Sequence, residues 1–323
     1  MIVQSPLRVS LMGGGSDLRY FYEKNSASSI GFPINKYCYA NISDFYSKGI
    51  NLVSEKENYF TTNPKNISNV LLRAILMKFK INNKKINIFN DIPFGNGLGS
   101  SSSLTVCLTK AFSILNKIPL NKNKIAEKAF LIEEKISGST IGKQDHFMST
   151  YGGINKFSYG KNKTIVKNLK FSNEEINEIQ KNFLLIKVGN ERKAYDVLYD
   201  QKNNLVSDLK KIKNMSDIVS MVPLVENALL KLDFNQIGSY LKESWELKKS
   251  FSTKISNKEV DDLYNYLCDL GIYGGKLLGA GGSGFFMVVL NPSVRKKIYE
   301  KINYSKLLEI KIDMNGCKLI KND

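Results

Sequence analysis

Residues 91–103 read DIPFGNGLGSSSS, and this stretch decides how the chain around it folds. Gly95, Gly97 and Gly99 alternate, Ser100 to Ser103 follow, and the apolar positions of a helix begin at Leu104. Upstream, Ile86 and Ile88 alternate as in a strand, so the glycines turn a strand into a helix. Glycine lets the backbone take positive φ and approach a ligand closely. Successive free N–H groups then form a concave anion site, and the helix start adds unpaired donors and partial positive charge. Serine hydroxyls can donate to phosphate oxygens or coordinate magnesium. The segment has the make-up of a phosphate cradle. No Gly-Lys-Ser/Thr closes it, so it is not a Walker A loop, and its spacing differs from the dinucleotide G-x-G-x-x-G. The plain alternative is a tight strand-to-helix turn with a serine N-cap.

Two further glycine turns flank it. In PLRVSLMGGGSD, residues 6–17, the strand 6–12 places Leu7, Val9 and Leu11 on one face and Arg8 and Ser10 on the other. Three glycines and Asp17 follow, and a short carboxylate there suits sugar hydroxyls; Ser16 or Asp17 could equally be a plain helix N-cap. In KLLGAGGSGFFM, residues 276–287, Gly279, Gly281, Gly282 and Gly284 join two apolar segments. A hairpin needs one or two glycines, so four favour close backbone contact with a ligand or with another loop.

Helices are expected over 100–116, buried because its apolar residues surround most of the axis, and over a stretch from after Pro119 to 136. On the latter, Ile125, Ala129, Ile132 and Ile136 mark the inward stripe. Glu133 lies within it, and Glu134 lies to the side. An inward carboxylate needs a cation or strong donor, either magnesium or a buried lysine. The second half opens on the apolar run 183–188, then helices over about 192–214 and 222–250. Helix 257–269, strand 276–278, strand 285–290, helix 293–302 and strand 308–312 close the chain. This alternation predicts a small sheet with helices on one side, and a domain boundary at 178/179.

With 323 residues, 42% of them hydrophobic, the chain can form two ordinary domains. Its formal charge of +17 raises a nucleic-acid surface, but only Arg8, Arg19, Arg73, Arg192 and Arg295 are arginines. Base and phosphate forks favour Arg, so a solvated Lys-rich surface is the expectation, with neither nucleic acid nor membrane as partner. Cys38, Cys107, Cys268 and Cys317 are scattered, no run approaches a membrane span, and the first residues lack a secretory pattern. These features fit a cytoplasmic protein, monomeric or homodimeric.

Together the three glycine segments resemble the motifs of the GHMP kinase superfamily in order and separation across nearly the whole chain. GGGSD at 13–17, GKQDHFMSTYGG at 142–153 and SWELKKSFSTKIS at 244–256 look most like heptose 7-phosphate kinases and related sugar kinases. The galactokinase Glu-His signature is absent; Gly14 and Gly15 stand there. The resemblance implies an α+β, two-domain fold. Residues 1–178 would form the N-terminal domain, with a left-handed βαβ crossover, and 179–323 a ferredoxin-like C-terminal domain. It implies ATP and Mg2+ as cofactors and a sugar phosphate as substrate, bound in the cleft between the domains.

By position, Pro93, Gly95, Asn96, Gly97, Leu98, Gly99, Ser100, Ser101 and Ser102 would wrap the ATP phosphates. Ser101 and Glu133 would hold magnesium. Asp145 would be the catalytic carboxylate, with Arg8 beside the reacting centre. Gly14, Gly15, Ser16, Asp17, Gly153, Gly281, Gly282 and Arg192 would complete the sugar site, with Arg192 or Lys248 on the substrate phosphate. His146 stands where the relatives usually have Gln, and Lys143 where Arg or Trp is common; His146 is expected to pack or hydrogen-bond rather than catalyse. The implied reaction phosphorylates the anomeric hydroxyl of D-glycero-D-manno-heptose 7-phosphate, feeding nucleotide-activated heptose and surface polysaccharide synthesis. A kinase for another sugar, such as fucose, a hexose phosphate or an aminosugar, or a non-catalytic sensor of the same fold, would carry the same motifs.

Overall fold

A computed structural model describes residues 1–55, 57–137, 140–189, 200 and 208–321. The first half runs β1 (Ile2–Met12), α1 (Arg19–Tyr22), β2 (Ala27–Asp44), β3 (Ile50–Val53), β4 (Asn58–Thr61), α2 (Val70–Phe79), β5 (Lys84–Asn90), α3 (Ser100–Leu115), α4 (Lys122–Ser137), α5 (Gln144–Thr150), β6 (Asn155–Tyr159), β7 (Thr164–Asn168) and α6 (Asn173–Asn182). The second half runs β8 (Phe183–Val188), α7 (Leu209–Leu230), α8 (Phe234–Lys249), α9 (Lys258–Leu270), β9 (Gly274–Leu277), β10 (Gly284–Val289), α10 (Pro292–Lys301), β11 (Leu307–Glu309) and β12 (Lys318–Lys321).

Strand β1 is buried on both faces, which is why Arg8 and Ser10 are as enclosed as Leu7, Val9 and Leu11. It lies between β12 and β2 in a sheet ordered β12-β1-β2-β5-β3-β4, and α3 and α5 pack on it. Along its edge away from β1, the long β2 serves two neighbours. Its first residues pair with β6 and its last with β5, so one strand ties the sheet's two wings together. Strands β3 and β5 run parallel, and the chain between them forms β4 and α2. Twelve of the sixteen residues of α3 are buried, as an apolar girdle requires.

The second sheet is antiparallel throughout, in the order β11-β8-β10-β9. Numbered within its own domain, that is 4-1-3-2, the ferredoxin-like arrangement. Helix α6 spans the boundary expected at 178/179, and β12 returns the chain's end to the first sheet.

The helix break expected between 214 and 222 is not there. Helix α7 continues through Pro223, and the turn falls at 231–233, where Asp233 accepts from Gln236 N–H at 3.0 Å to cap α8. Met215, Ile218, Val222, Val225 and Leu229 form one unbroken buried stripe. Burying five such side chains, at about 1.5–3 kcal/mol each, exceeds the roughly 3 kcal/mol that an interior proline costs.

Candidate active site

The glycine loop meets α3 as the sequence implies. Gly95, Gly97 and Gly99 have φ of 89°, 77° and 74°, and Gly99 is the N-cap of α3. The third glycine turn packs directly on this loop. A Cβ at Gly97 would lie 2.6 Å from Leu278 O, and one at Gly279 would lie 2.6 Å from Gly97 Cα. Of the two contacts left open for the third turn, the one seen is with another loop; Gly281 also lines the cavity.

At the start of α3, Ser100 Oγ is buried and has no hydrogen-bond partner among the described residues. Ser101 Oγ donates to Glu133 Oε1 at 2.5 Å, and Ser102 Oγ and Thr105 Oγ1 each donate to Oε2 at 3.2 Å. His146 Nε2 lies 2.7 Å from the same Oε2. His146 is fully buried on α5, edge-on to Phe130, and its Nδ1 has no partner among the described residues. Burial alone would raise the Glu133 pKa; His146 and the serine hydroxyls outweigh it and hold the carboxyl below its ordinary value. A carboxylate whose charged form is favoured, beside a hydroxyl, suits Mg2+, which takes one or two protein oxygens and completes its shell with phosphates and water.

In the same cavity, Arg8 makes a fork with Asp145. Nε donates to Oδ1 at 2.7 Å and Nη2 to Oδ2 at 2.6 Å, while Nη1 donates to Gly97 O at 2.6 Å. Arg8 is 3% exposed, so its position is fixed, whereas Asp145 keeps 25% of its side chain open to the cavity. One guanidinium thus joins β1, the glycine loop and α5.

Asp17 accepts from Gly15 N–H at 3.0 Å and Gln144 N–H at 2.9 Å. A Cβ at Gly142 would lie 1.9 Å from Asp17 Oδ2, so only glycine leaves room for this carboxylate. Burial, with a further contribution from Asp145, pushes Asp17 up to about 6.

These groups share one cavity of about 490 Å3, lined by Arg8, Gly14, Gly15, Asp17, Gly95, Gly97, Gly99, Ser100, Ser101, Ser102, Glu133, Asp145 and Gly281. Six expected positions do not line it. Ser16 Oγ turns inward to Gly13 O. Gly153 N–H donates to Asp313 O, so it braces the chain end rather than a sugar. Gly282 N–H donates to Ile255 O. Asn96 Nδ2 donates to Pro93 O, and Leu98 is core while its carbonyl accepts from Arg8 N–H, so Pro93, Asn96 and Leu98 shape the loop from behind. Arg192 lies outside the described residues. Lys143 points away, onto Glu127 and Gly160 O.

The sequence reading left out Gln144, Gly142 and Lys276, all of which line the cavity. Gln144 and Gly142 stand beside Asp145 in the 142–153 segment. Lys276 is hidden in the apolar run KLL.

Residues 65–153 match the GHMP kinases N terminal domain, and residues 225–306 match the GHMP kinases C terminal family. The chain is 29% identical over 312 residues to the D-glycero-alpha-D-manno-heptose 7-phosphate kinase of Campylobacter jejuni, covering 93% of this chain and 92% of that one. The crystal structure of a D-glycero-D-manno-heptose 1-phosphate kinase from B. thetaiotaomicron superposes with TM-score 0.79 at 24% identity, over 99% of both chains. That of the Methanococcus jannaschii mevalonate kinase superposes with TM-score 0.73 at 24% identity, over 97% of this chain and 98% of that one. The two matched regions contain the glycine loop, Glu133, Asp145 and the third glycine turn, and the chain is therefore an ATP-dependent kinase belonging to the GHMP kinase family.

Proposed function

We propose that this kinase transfers the γ-phosphoryl group of ATP to the anomeric hydroxyl of D-glycero-D-manno-heptose 7-phosphate, giving the 1,7-bisphosphate. The observation that carries the reading is that two acidic centres line one cavity at the glycine loop. Glu133 takes the Ser101 hydroxyl at the start of α3, and Asp145 is forked by Arg8, which also bonds Gly97 O of the loop. Phosphoryl transfer asks mainly for alignment and charge neutralisation, and this arrangement offers both. The similarity to the C. jejuni enzyme over nearly the whole chain supports heptose 7-phosphate as the acceptor.

In this reading the amides of the glycine loop and the free Ser100 hydroxyl hold the nucleotide phosphates. Magnesium held by Ser101 and Glu133 would neutralise phosphate charge. Asp17 accepts hydrogen bonds from sugar hydroxyls and orients the ring. Asp145 takes the proton of the attacking hydroxyl as the new O–P bond forms and the bond from Pγ to the bridging oxygen breaks, releasing ADP. Arg8 holds Asp145 in place and offsets charge on the transferred group. The product would enter nucleotide-activated heptose and surface polysaccharide synthesis.

ADP release, measured with heptose 7-phosphate beside free hexoses, hexose phosphates, fucose and aminosugars, tests the proposal. The heptose phosphate should give the highest kcat/KM. A higher value for any unphosphorylated sugar would overturn the acceptor assignment.

A further inference from the structure

Two lysines of the C-terminal domain enter the same cavity, and no step above uses their charge as a pair. Lys276, on β9, is only 6% exposed and lines the cavity. Its ammonium group has no hydrogen-bond or ion-pair partner among the described residues. Lys248, at the end of α8, also lines the cavity, and its Nζ donates to Gly279 O at 2.8 Å. A buried ammonium without a counter-charge is costly, and here a second lysine and Arg8 stand near it. The neighbouring carboxylate, Asp145, already has both oxygens on Arg8. Within this group of Lys276, Lys248, Arg8 and Asp145 positive charge therefore exceeds negative, and a dianionic ligand would correct the imbalance.

We propose that Lys276 and Lys248 form a second phosphate subsite, which receives the phosphoryl group already carried by the acceptor. This rests on the sugar-phosphate reading given above. The nucleotide phosphates have their own donors in the glycine loop, Ser100 and the start of α3. The lysines are close enough to interact electrostatically with Arg8, and Lys248 with Asp145 as well, the pair that faces the acceptor hydroxyl in this reading. Burial, Lys248 and Arg8 together hold the Lys276 ammonium well below the ordinary lysine value, a penalty that a bound dianion relieves. The subsite would thus select phosphorylated over free sugars.

The test uses the full chain saturated with Mg2+ and a non-hydrolysable ATP analogue, so that all nucleotide phosphate positions are filled. Heptose 7-phosphate and inorganic phosphate are then titrated calorimetrically against the wild type, Lys276→Met and Lys248→Met. Methionine keeps an unbranched side chain, and thermal melting checks that each variant is folded. Losing a charged hydrogen bond should weaken both ligands roughly 10- to 100-fold in Lys276→Met, with affinity for the analogue unchanged. Lys276→Arg, which restores the charge, should recover part of the loss. If inorganic phosphate shows this pattern while heptose 7-phosphate does not bind the wild type, the subsite stands and the heptose assignment falls. Unchanged phosphate affinity in folded Lys276→Met would overturn the subsite. So would a loss confined to the analogue, which would assign the lysines to the terminal phosphate of ATP.

Discussion

Replacing Asp145 by Asn separates its two tasks, bracing Arg8 and taking a proton. The amide keeps the shape and one acceptor oxygen but turns an NH2 group toward an Arg8 N–H. One of the two charge-assisted bonds, at 2.7 and 2.6 Å, is lost, at a cost of about 1.5–3 kcal/mol. Arg8, 3% exposed, also loses its counter-charge, although Gly97 O still accepts from Nη1. Breaking a fully buried pair costs about 3–5 kcal/mol. Because 25% of the Asp145 side chain is exposed, water screens part of that, and the expected total is about 3 kcal/mol. Turnover should fall much further, since general-base assistance is worth about 10²–10⁴-fold. Urea unfolding gives the stability change, titration with a non-hydrolysable ATP analogue gives nucleotide affinity, and coupled ADP release gives kcat. The expected pattern is moderate destabilisation, nearly normal nucleotide affinity and a kcat lowered roughly thousandfold. A folded variant that loses the stability but keeps kcat within about tenfold of wild type would show that Asp145 only positions Arg8.

Glu133→Gln removes the charge beside Ser101, so the Mg2+ concentration needed for half-maximal activity should rise at least about tenfold; an unchanged requirement argues against Glu133 as a ligand. Gly97→Ala places a Cβ 2.6 Å from Leu278 O at a φ of 77°, and should cost roughly 1–2 kcal/mol from the backbone alone while weakening ATP binding. Wild-type stability and nucleotide affinity in that variant would show that the third turn does not clamp the first. The pH profile of kcat/KM should be bell-shaped. Below about 6 Asp17 is protonated and can no longer act as a full acceptor for sugar hydroxyls, so activity rises through that pH. Lys248, lowered to about 8 by burial and by Arg8, loses its charge above that pH, so activity falls again. Asp17→Asn should flatten the acidic limb, and an unaltered limb would assign it to another group.

Much of the site could be read in the sequence because its chemistry depends on local backbone. The alternating glycines and serines before an apolar helix specify a loop and a helix start, whatever lies elsewhere. Glu133 was legible because a carboxylate inside an apolar stripe must have a partner. What periodicity could not give was which partner. The stripe packs on α3, whose three hydroxyls meet the carboxylate, and His146 joins them from α5. Gly153 was misplaced because a glycine with φ of 76° can serve a turn or a ligand equally, and only the tertiary fold sets it against Asp313. Lys276 reads as a charged interruption in a buried strand until the second sheet brings it to the cavity. The continuation of α7 through Pro223 was marked by the helical spacing of Met215, Ile218, Val222, Val225 and Leu229, but only its burial decides that the stripe outweighs the proline.

The central claim is geometric: the loop at 91–103 encloses the triphosphate, and Asp145 meets the acceptor hydroxyl across from it. A crystal structure with Mg2+, a non-hydrolysable ATP analogue and heptose 7-phosphate tests it most directly. The account predicts the γ-phosphorus at the start of α3, with the anomeric oxygen about 3–3.5 Å away and hydrogen-bonded to Asp145. A triphosphate bound outside that loop, or an acceptor whose nearest hydroxyl faces away from Asp145, would contradict it.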